Sequence, residues 1–356
     1  MSLSRPKLFL FLALFTLSIL IIFPTRQTYY TYISPTANSP TSNGRPNAVI
    51  FMLVPPSRLQ QATLALLNVE NRFNRHLKYP YVLFMSQSEL ATVSNETKSK
   101  IDWITQGRAQ FAALTDESWE IPPFYDPKLV DASMREIGFS KGYRQMCRFY
   151  SGFFWKHPMV AKYDWLWRLD TDIEFHCDVP YDPVQRLIDA DALYGFVQIA
   201  GDVDYVQPSL AGNVSAFMHS HSSLLPSHAN MGFTWRNIPN ALSGLGGNDD
   251  WTRMCMYNNF EISHRSIWES PLYTSFFEYL DHAGGFFYER WSDSPIHSFA
   301  LAMALRKEQH QGWGYECPQR LDRCTCVREG AAENFNDNAQ TWYEAEEYDS
   351  SRGDLV

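Results

Sequence analysis

Residues 48–54 (AVIFMLV) form an unbroken apolar run closed by Pro55-Pro56. A run of that length between turn signals is expected of a strand buried on both faces. The period then changes, with Leu59, Leu64, Leu67, Phe73 and Leu77 at helical spacing up to residue 77, before residues 81–85 (YVLFM) return to a short apolar run. Strand, helix, strand is the opening of a parallel α/β sheet. The alternation goes on: 141–154 reads as a helix ending before His157-Pro158, 165–169 (WLWRL) as a strand, 192–199 (ALYGFVQI) as another strand and 295–305 as a helix. No internal repeat interrupts it. The predicted fold class is α/β.

The ends of the chain have other patterns. Leu8 to Phe23 is sixteen residues without a charge, preceded by Arg5 and Lys7 and followed by Pro24 and Arg26. At about 1.5 Å per residue such a helix reaches roughly 24 Å, enough for a thin membrane. The run lacks a small-residue cleavage site, so an uncleaved signal anchor is expected over residues 8–24. Basic residues on its short side put residues 1–7 in the cytosol and the remainder in a lumen. Residues 25–47, rich in Ser, Thr, Pro and Asn, read as a stem. The folded domain is expected over 48–327, and from Arg328 to Val356 an acidic, polar tail, with Trp342 and Tyr343 as its docking residues.

Composition narrows the class. The formal charge is −9, and nucleic acid, which demands basic patches, is excluded as a partner. Charged residues are only 19% against 45% hydrophobic, too apolar a balance for a disordered chain. Two lumenal signs accompany the anchor. Asn95-Glu96-Thr97 and Asn213-Val214-Ser215 fit the glycosylation acceptor pattern. Six cysteines (Cys147, Cys177, Cys255, Cys317, Cys324, Cys326) are an even number, and disulfides are expected over metal binding because no second Cys or His pair has zinc spacing.

Asp170-Thr171-Asp172 follows the 165–169 strand directly. Ligands of open α/β sheets bind at strand carboxyl ends, and two carboxylates there can hold a hard divalent cation against a diphosphate. A surface turn is the plain alternative. Arg144 and Arg148 stand four apart on a helix, a spacing that offers two guanidinium forks to phosphate, with Tyr143 beside them to stack on a nucleotide. An ordinary cationic helix surface is the alternative here. A third cluster is Asn258-Asn259-Phe260-Glu261. A fourth runs Gly284-Gly285 through Glu289, Arg290, Asp293 and His297, either a polar binding site or a structural Glu289–Arg290 ion pair.

Together these pieces carry a resemblance. YRQMCRF at 143–149 with the continuation to Pro183, NFEI at 259–262, LDHAGGFFYERWSDSPIHS at 280–298 and the terminal Cys317-Pro318 … Cys324-x-Cys326 resemble the fungal Golgi α-1,2-mannosyltransferases, glycosyltransferase family 15. The likeness covers roughly 48–327. It implies a GT-A type, Rossmann-like domain with a mixed, mainly parallel central sheet, in a single-pass type II Golgi membrane protein. It implies GDP-mannose as donor, Mn2+ as cofactor, and retaining transfer to the 2-hydroxyl of a mannose-terminated glycan or glycoprotein. Carried over, Glu261 matches the proposed nucleophile and Asp293 a sugar-binding carboxylate. Tyr143 matches a nucleotide-sugar or acceptor contact; Arg144, Arg148, Glu289 and Arg290 join that binding group from the spacing and clustering above, not from the family. Arg168 lies beside the metal carboxylate Asp170; Asp172 is expected as a second metal ligand from the D-x-D spacing, since the family has Pro-Asn where this chain has Thr171-Asp172.

Two departures stand out. Asp170 replaces the Glu of a W-R-V-E-P pattern. Gly314-Tyr315 passes straight to Glu316-Cys317-Pro318, without the His-His-Pro-Pro that brings a metal-binding His. A catalytically impaired or lectin-like relative, and a glycoside hydrolase using Glu261 with Glu289, are the competing readings.

Overall fold

The computed structural model describes residues 44–312, 342–345 and 347–352. The apolar run 8–23, most of the stem, Glu316 and Cys317, Cys324 and Cys326 lie outside them. No helix among the described residues is long and apolar enough to cross a membrane.

The strands are β1 (Ala48–Leu53), β2 (Tyr81–Ser86), β3 (Ala109–Leu114), β4 (Trp165–Leu169), β5 (Tyr194–Phe196), β6 (Ile199–Gly201), β7 (His228–Ala229), β8 (Met254–Met256), β9 (Phe260–His264), β10 (His310–Gly312) and β11 (Tyr348–Asp349). Seven form the central sheet in the order β10-β5-β9-β4-β1-β2-β3. The block β4-β1-β2-β3 is parallel throughout, β10 is parallel to β5, and β9 alone runs antiparallel to both its neighbours. The mixed, mainly parallel sheet is thus observed. The reading of 192–199 as one strand is corrected: it breaks at Val197-Gln198, and β6 leaves the central sheet to pair with β8.

The helices that matter for the site are α1 (Leu59–Val69), α2 (Asn95–Thr105), α3 (Pro127–Glu136), α4 (Lys141–Gly152), α5 (Leu210–Ser220), α6 (Pro271–Ala283) and α7 (Asp293–Ala304). The helix expected to run from 59 to 77 stays α-helical only to Val69, then widens into a π turn over Glu70–Asn74. Glu70 is buried there because it has partners: Tyr81 donates its hydroxyl to it at 2.5 Å and Arg108 pairs with it at 2.6 Å. A buried acid persists only when so compensated.

Strand alternation divides the core. Val49 and Phe51 of β1 and Leu166 of β4 face one side, with α4, α6 and α7, whereas Ala48, Ile50, Met52, Trp165 and Trp167 face the other, with α1 and α2. By the same period-2 rule, Arg168 of β4 faces the first side. On β9, Phe260 and Ile262 belong to the second side, so Glu261 between them also faces the first. Polar groups at the carboxyl end of β4 therefore meet α4 and α7.

Gly284 and Gly285 have separate reasons. Gly284 ends α6 at φ +84°, the left-handed conformation glycine adopts without strain, while a Cβ on Gly285 would lie 1.9 Å from the Trp291 ring. The tail folds back: Trp342 is fully buried, donating its indole N–H to the Lys307 carbonyl, and β11 pairs with β7.

The cysteine expectation is corrected in part. Cys177 is disulfide-bonded, but Cys147 and Cys255 are free and buried. Burial and the nearby Asp293 charge push the Cys147 thiol well up, so it stays neutral. Asn95 is exposed at the start of α2. Asn213 sits within α5, where Ser215 is buried and donates to the Ala241 carbonyl.

Candidate active site

β4 ends at Leu169, and the Asp170 amide is held by the Asn259 carbonyl at 2.9 Å. That bond fixes the residue at the carboxyl end of β4. Arg168, two residues earlier and almost fully buried, donates Nε to Asp170 at 3.1 Å and Nη1 to Asp293 at 2.5 Å. Its guanidinium carbon lies 3.5 Å from the centre of the Tyr150 ring, and Tyr150 is itself pinned by accepting the Leu53 amide at 2.9 Å. A planar cation stacked on a fixed ring, with two carboxylates on its edge, is held rigidly.

The two carboxylates differ. Burial raises the Asp293 carboxyl, but Arg168 and His297 more than reverse that and hold it below the usual range. Asp293 also accepts from Asn258 at 2.9 Å and opens α7, where the helix N-terminus favours an anion. Asp170 keeps 29% of its side chain open. Burial raises it, Arg168 relieves only part of that, and Asp293 and Asp172 add repulsion. It is a carboxylate short of positive charge, which fits a hard divalent cation.

Beneath this pair lies Glu261, directly opposite Arg168 in the β4–β9 register and fully buried. Oε2 accepts from the Tyr194 hydroxyl at 2.9 Å and lies 3.0 Å from Nδ1 of His297. Among the described residues, Oε1 has no hydrogen-bond partner.

The other expected residues fall into two groups. Tyr143 and Arg290 pair with each other near the head of α7. Arg290 donates to the Tyr143 hydroxyl at 3.2 Å, stacks over Phe139 at 4.6 Å and faces Asp202 at 3.8 Å. Burial raises the Tyr143 hydroxyl, so it remains a donor. Arg144, Arg148, Glu289 and Asp172 depart from what was expected. Arg144 is fully buried and donates to the Ser133 hydroxyl and to the Phe287, Glu289, Ser133 and Gly138 carbonyls, clamping α3 and the 284–290 turn. Arg148 holds Asp281 through two bonds of 2.8 Å and donates to the Glu117 carbonyl. The terminal nitrogens of Arg144 and all three guanidinium nitrogens of Arg148 are taken up by groups of the fold, leaving the buried Arg144 Nε without a partner among the described residues. Glu289 accepts from the Trp291 indole at 2.7 Å and the Ser209 amide at 3.2 Å. It neither pairs with Arg290 nor shares a partner with Glu261. Asp172 points outward to Arg58 at 3.4 Å, with 57% of its side chain exposed.

No group of three or more His, Cys, Asp or Glu among the described residues forms a metal cage. Asp170 alone fits as one oxygen ligand, and Glu316 lies outside the described residues. The sequence reading passed over Tyr150 and Tyr194, and assigned no role to Asn258 or His297. Asp293 and His297 stand four apart on α7, on one helical face, and that spacing is the signal that would have found His297.

Comparison with known proteins places this arrangement. A family model described as glycolipid 2-alpha-mannosyltransferase, Glyco_transf_15, matches residues 24–339. O-glycoside alpha-1,2-mannosyltransferase homolog 3 of Schizosaccharomyces pombe is 35% identical over 302 residues, covering 79% of this chain and 77% of its own. Alpha-1,2 mannosyltransferase KTR1 of Saccharomyces cerevisiae is 32% identical, covering 79% and 74%. The structure of core-mannan synthase A (CmsA/Ktr4) from Aspergillus fumigatus in its Mn/GDP form is similar at a TM-score of 0.73 and 25% identity, covering 89% of this chain and 88% of that one. With Arg168, Asp170, Glu261 and Asp293 gathered at the end of β4 of a GT-A type sheet, and with relatives matching most of its length, the chain belongs to glycosyltransferase family 15.

Proposed function

We propose that this protein transfers mannose from GDP-mannose to the 2-hydroxyl of a mannose-terminated glycan, forming an α-1,2 linkage with retention. The observation that carries the reading is the single guanidinium of Arg168, which ties Asp170 at the strand end to Asp293 at the head of α7, above buried Glu261. The named activity of the relatives supports it.

A diphosphate leaves only when its charge is compensated. Asp170 would hold Mn2+, which when bound supplies that compensation. Arg168 holds Asp170 in place at the end of β4 and keeps Asp293 ionised. Asp293 is positioned to accept from sugar hydroxyls, and Tyr143 and Arg290 offer a hydroxyl and an aromatic-stacked cation to donor or acceptor. Glu261, opposite Arg168 on the interior strand β9, places a negative charge beneath the end of β4, where it can stabilise an oxocarbenium-like centre. The apolar run at 8–23 after Arg5 and Lys7 supports a single-pass type II protein of the Golgi membrane.

The test is transfer by detergent-purified full-length protein from labelled GDP-mannose to α-methyl mannoside, with Mn2+ or chelator. The expected result is a disaccharide that requires both donor and cation. Release of free mannose from glycans without nucleotide would instead favour a hydrolase.

A further inference from the structure

His297 is fully buried on α7, and both of its ring nitrogens have partners. Nε2 lies 3.0 Å from the Tyr150 carbonyl oxygen, and Nδ1 lies 3.0 Å from Oε2 of Glu261. A carbonyl oxygen only accepts, so Nε2 carries a hydrogen. A neutral ring with its hydrogen there would turn the Nδ1 lone pair on the carboxylate, so a second proton must lie on the Nδ1–Oε2 line. The Tyr194 hydroxyl cannot supply it, because its one hydrogen is directed at Oε2 from β5.

The surroundings decide where that proton sits. Arg168 on β4 is the buried cation paired with acids of this cluster, while Glu261 on β9, Asp293 at the start of α7 and Asp170 after β4 are three acids. Tyr194 on β5 donates to Glu261, Tyr273 on α6 has its ring 6.2 Å away, and the Trp268 ring lies 4.5 Å from the imidazole at 38°. A second cation brings the buried charge closer to balance and finds an aromatic ring beside it.

We propose that His297 is a positioning residue for the transfer reaction, holding Glu261 through a protonated Nδ1 so that the carboxylate stays an anion with Oε1 free for the reacting centre. This rests on the mannosyltransferase reading above and deepens it. With Oε2 bound on two sides, the carboxylate cannot rotate, and the one oxygen without a partner is the one left for chemistry. Loss of the Nδ1 proton removes the attraction and frees the carboxylate to swing, so the charge behind the reacting sugar is lost before any substrate contact changes.

Two measurements test this on the full-length protein. Histidine-selective 15N NMR at pH 7.5 should show a solvent-protected imidazole with both nitrogens protonated, and that signal should vanish in Glu261→Gln. A neutral imidazole at this position overturns the proposal, whatever the transfer assay gives. In His297→Gln, kcat should fall about 100-fold while KM for GDP-mannose stays within about 3-fold. An unchanged kcat, or a KM rising in step with the loss, overturns it. Absence of transfer by the wild type would sink the functional reading instead, and the NMR result would still decide the state of His297.

Discussion

Arg168 and Asp293 are 125 residues apart in the chain, yet Nη1 of the one meets Oδ2 of the other at 2.5 Å, both almost fully buried. The same guanidinium reaches Asp170, so the end of β4 and the head of α7 are joined by one cation. Arg168→Lys keeps a charge but not the fork that spans two carboxylates. Transfer should drop at least about 100-fold while circular dichroism stays native. Arg168→Ala leaves Asp293 buried and unpaired, and should also destabilise the fold by about 3–5 kcal/mol in urea titration.

Asp170 and Asp172 should part company in a metal titration. Asp170→Asn should raise the Mn2+ concentration for half-maximal transfer at least about 10-fold, because the carboxylate short of positive charge is the one a hard cation relieves. Asp172→Asn breaks only an exposed contact with Arg58 and should leave the titration within about 2-fold. Equal effects of the two changes would restore the paired-carboxylate expectation.

The Arg148–Asp281 pair separates a structural role from phosphate binding. Asp281→Asn leaves Arg148 in place but removes its buried counter-charge. If the guanidinium serves the packing of α4 on α6, the expected outcome is a loss of about 3 kcal/mol in unfolding free energy with KM for GDP-mannose within about 2-fold. A role at the diphosphate would show as a changed KM in a protein of near-native stability.

His264 makes the fold acid-sensitive. Burial pushes its imidazole down to about 4, where it packs edge-on against Trp165 at 5.0 Å and bonds Ser266. The unfolded chain takes up that proton near 6.5. The unfolded state therefore binds more protons between these values, and stability is full above about pH 6.5 and falls as the pH drops toward 4. His310, pushed down to about 3 by burial, adds in the same direction. Each should cost about 2 kcal/mol at pH 5 relative to pH 7.5. Thermal melts across this range should show the loss, and His264→Gln should flatten part of it.

The letters alone settled a good deal. Apolar runs at 48–54, 81–85 and 165–169, separated by helical spacing, determined β1, β2 and β4 of the parallel block, though not β3, because a strand covered on both faces needs uninterrupted apolar residues. Asp170 directly after such a run fixed its place at the carboxyl end of β4, and the motif blocks singled out Glu261 and Asp293, which the fold brings to that same end. The fate of each charge was not legible. Arg144 and Arg148 look like phosphate forks in one dimension, and only the approach of α3, α6 and the 284–290 turn spends their donors on carbonyls and Asp281. Glu261 faces Arg168 only because β9 runs antiparallel in that register, and His297 reaches Glu261 only because α7 docks on that face. Local pattern fixes which way a side chain points from its own element, whereas what it meets depends on segments a hundred residues distant, and that is decided by packing.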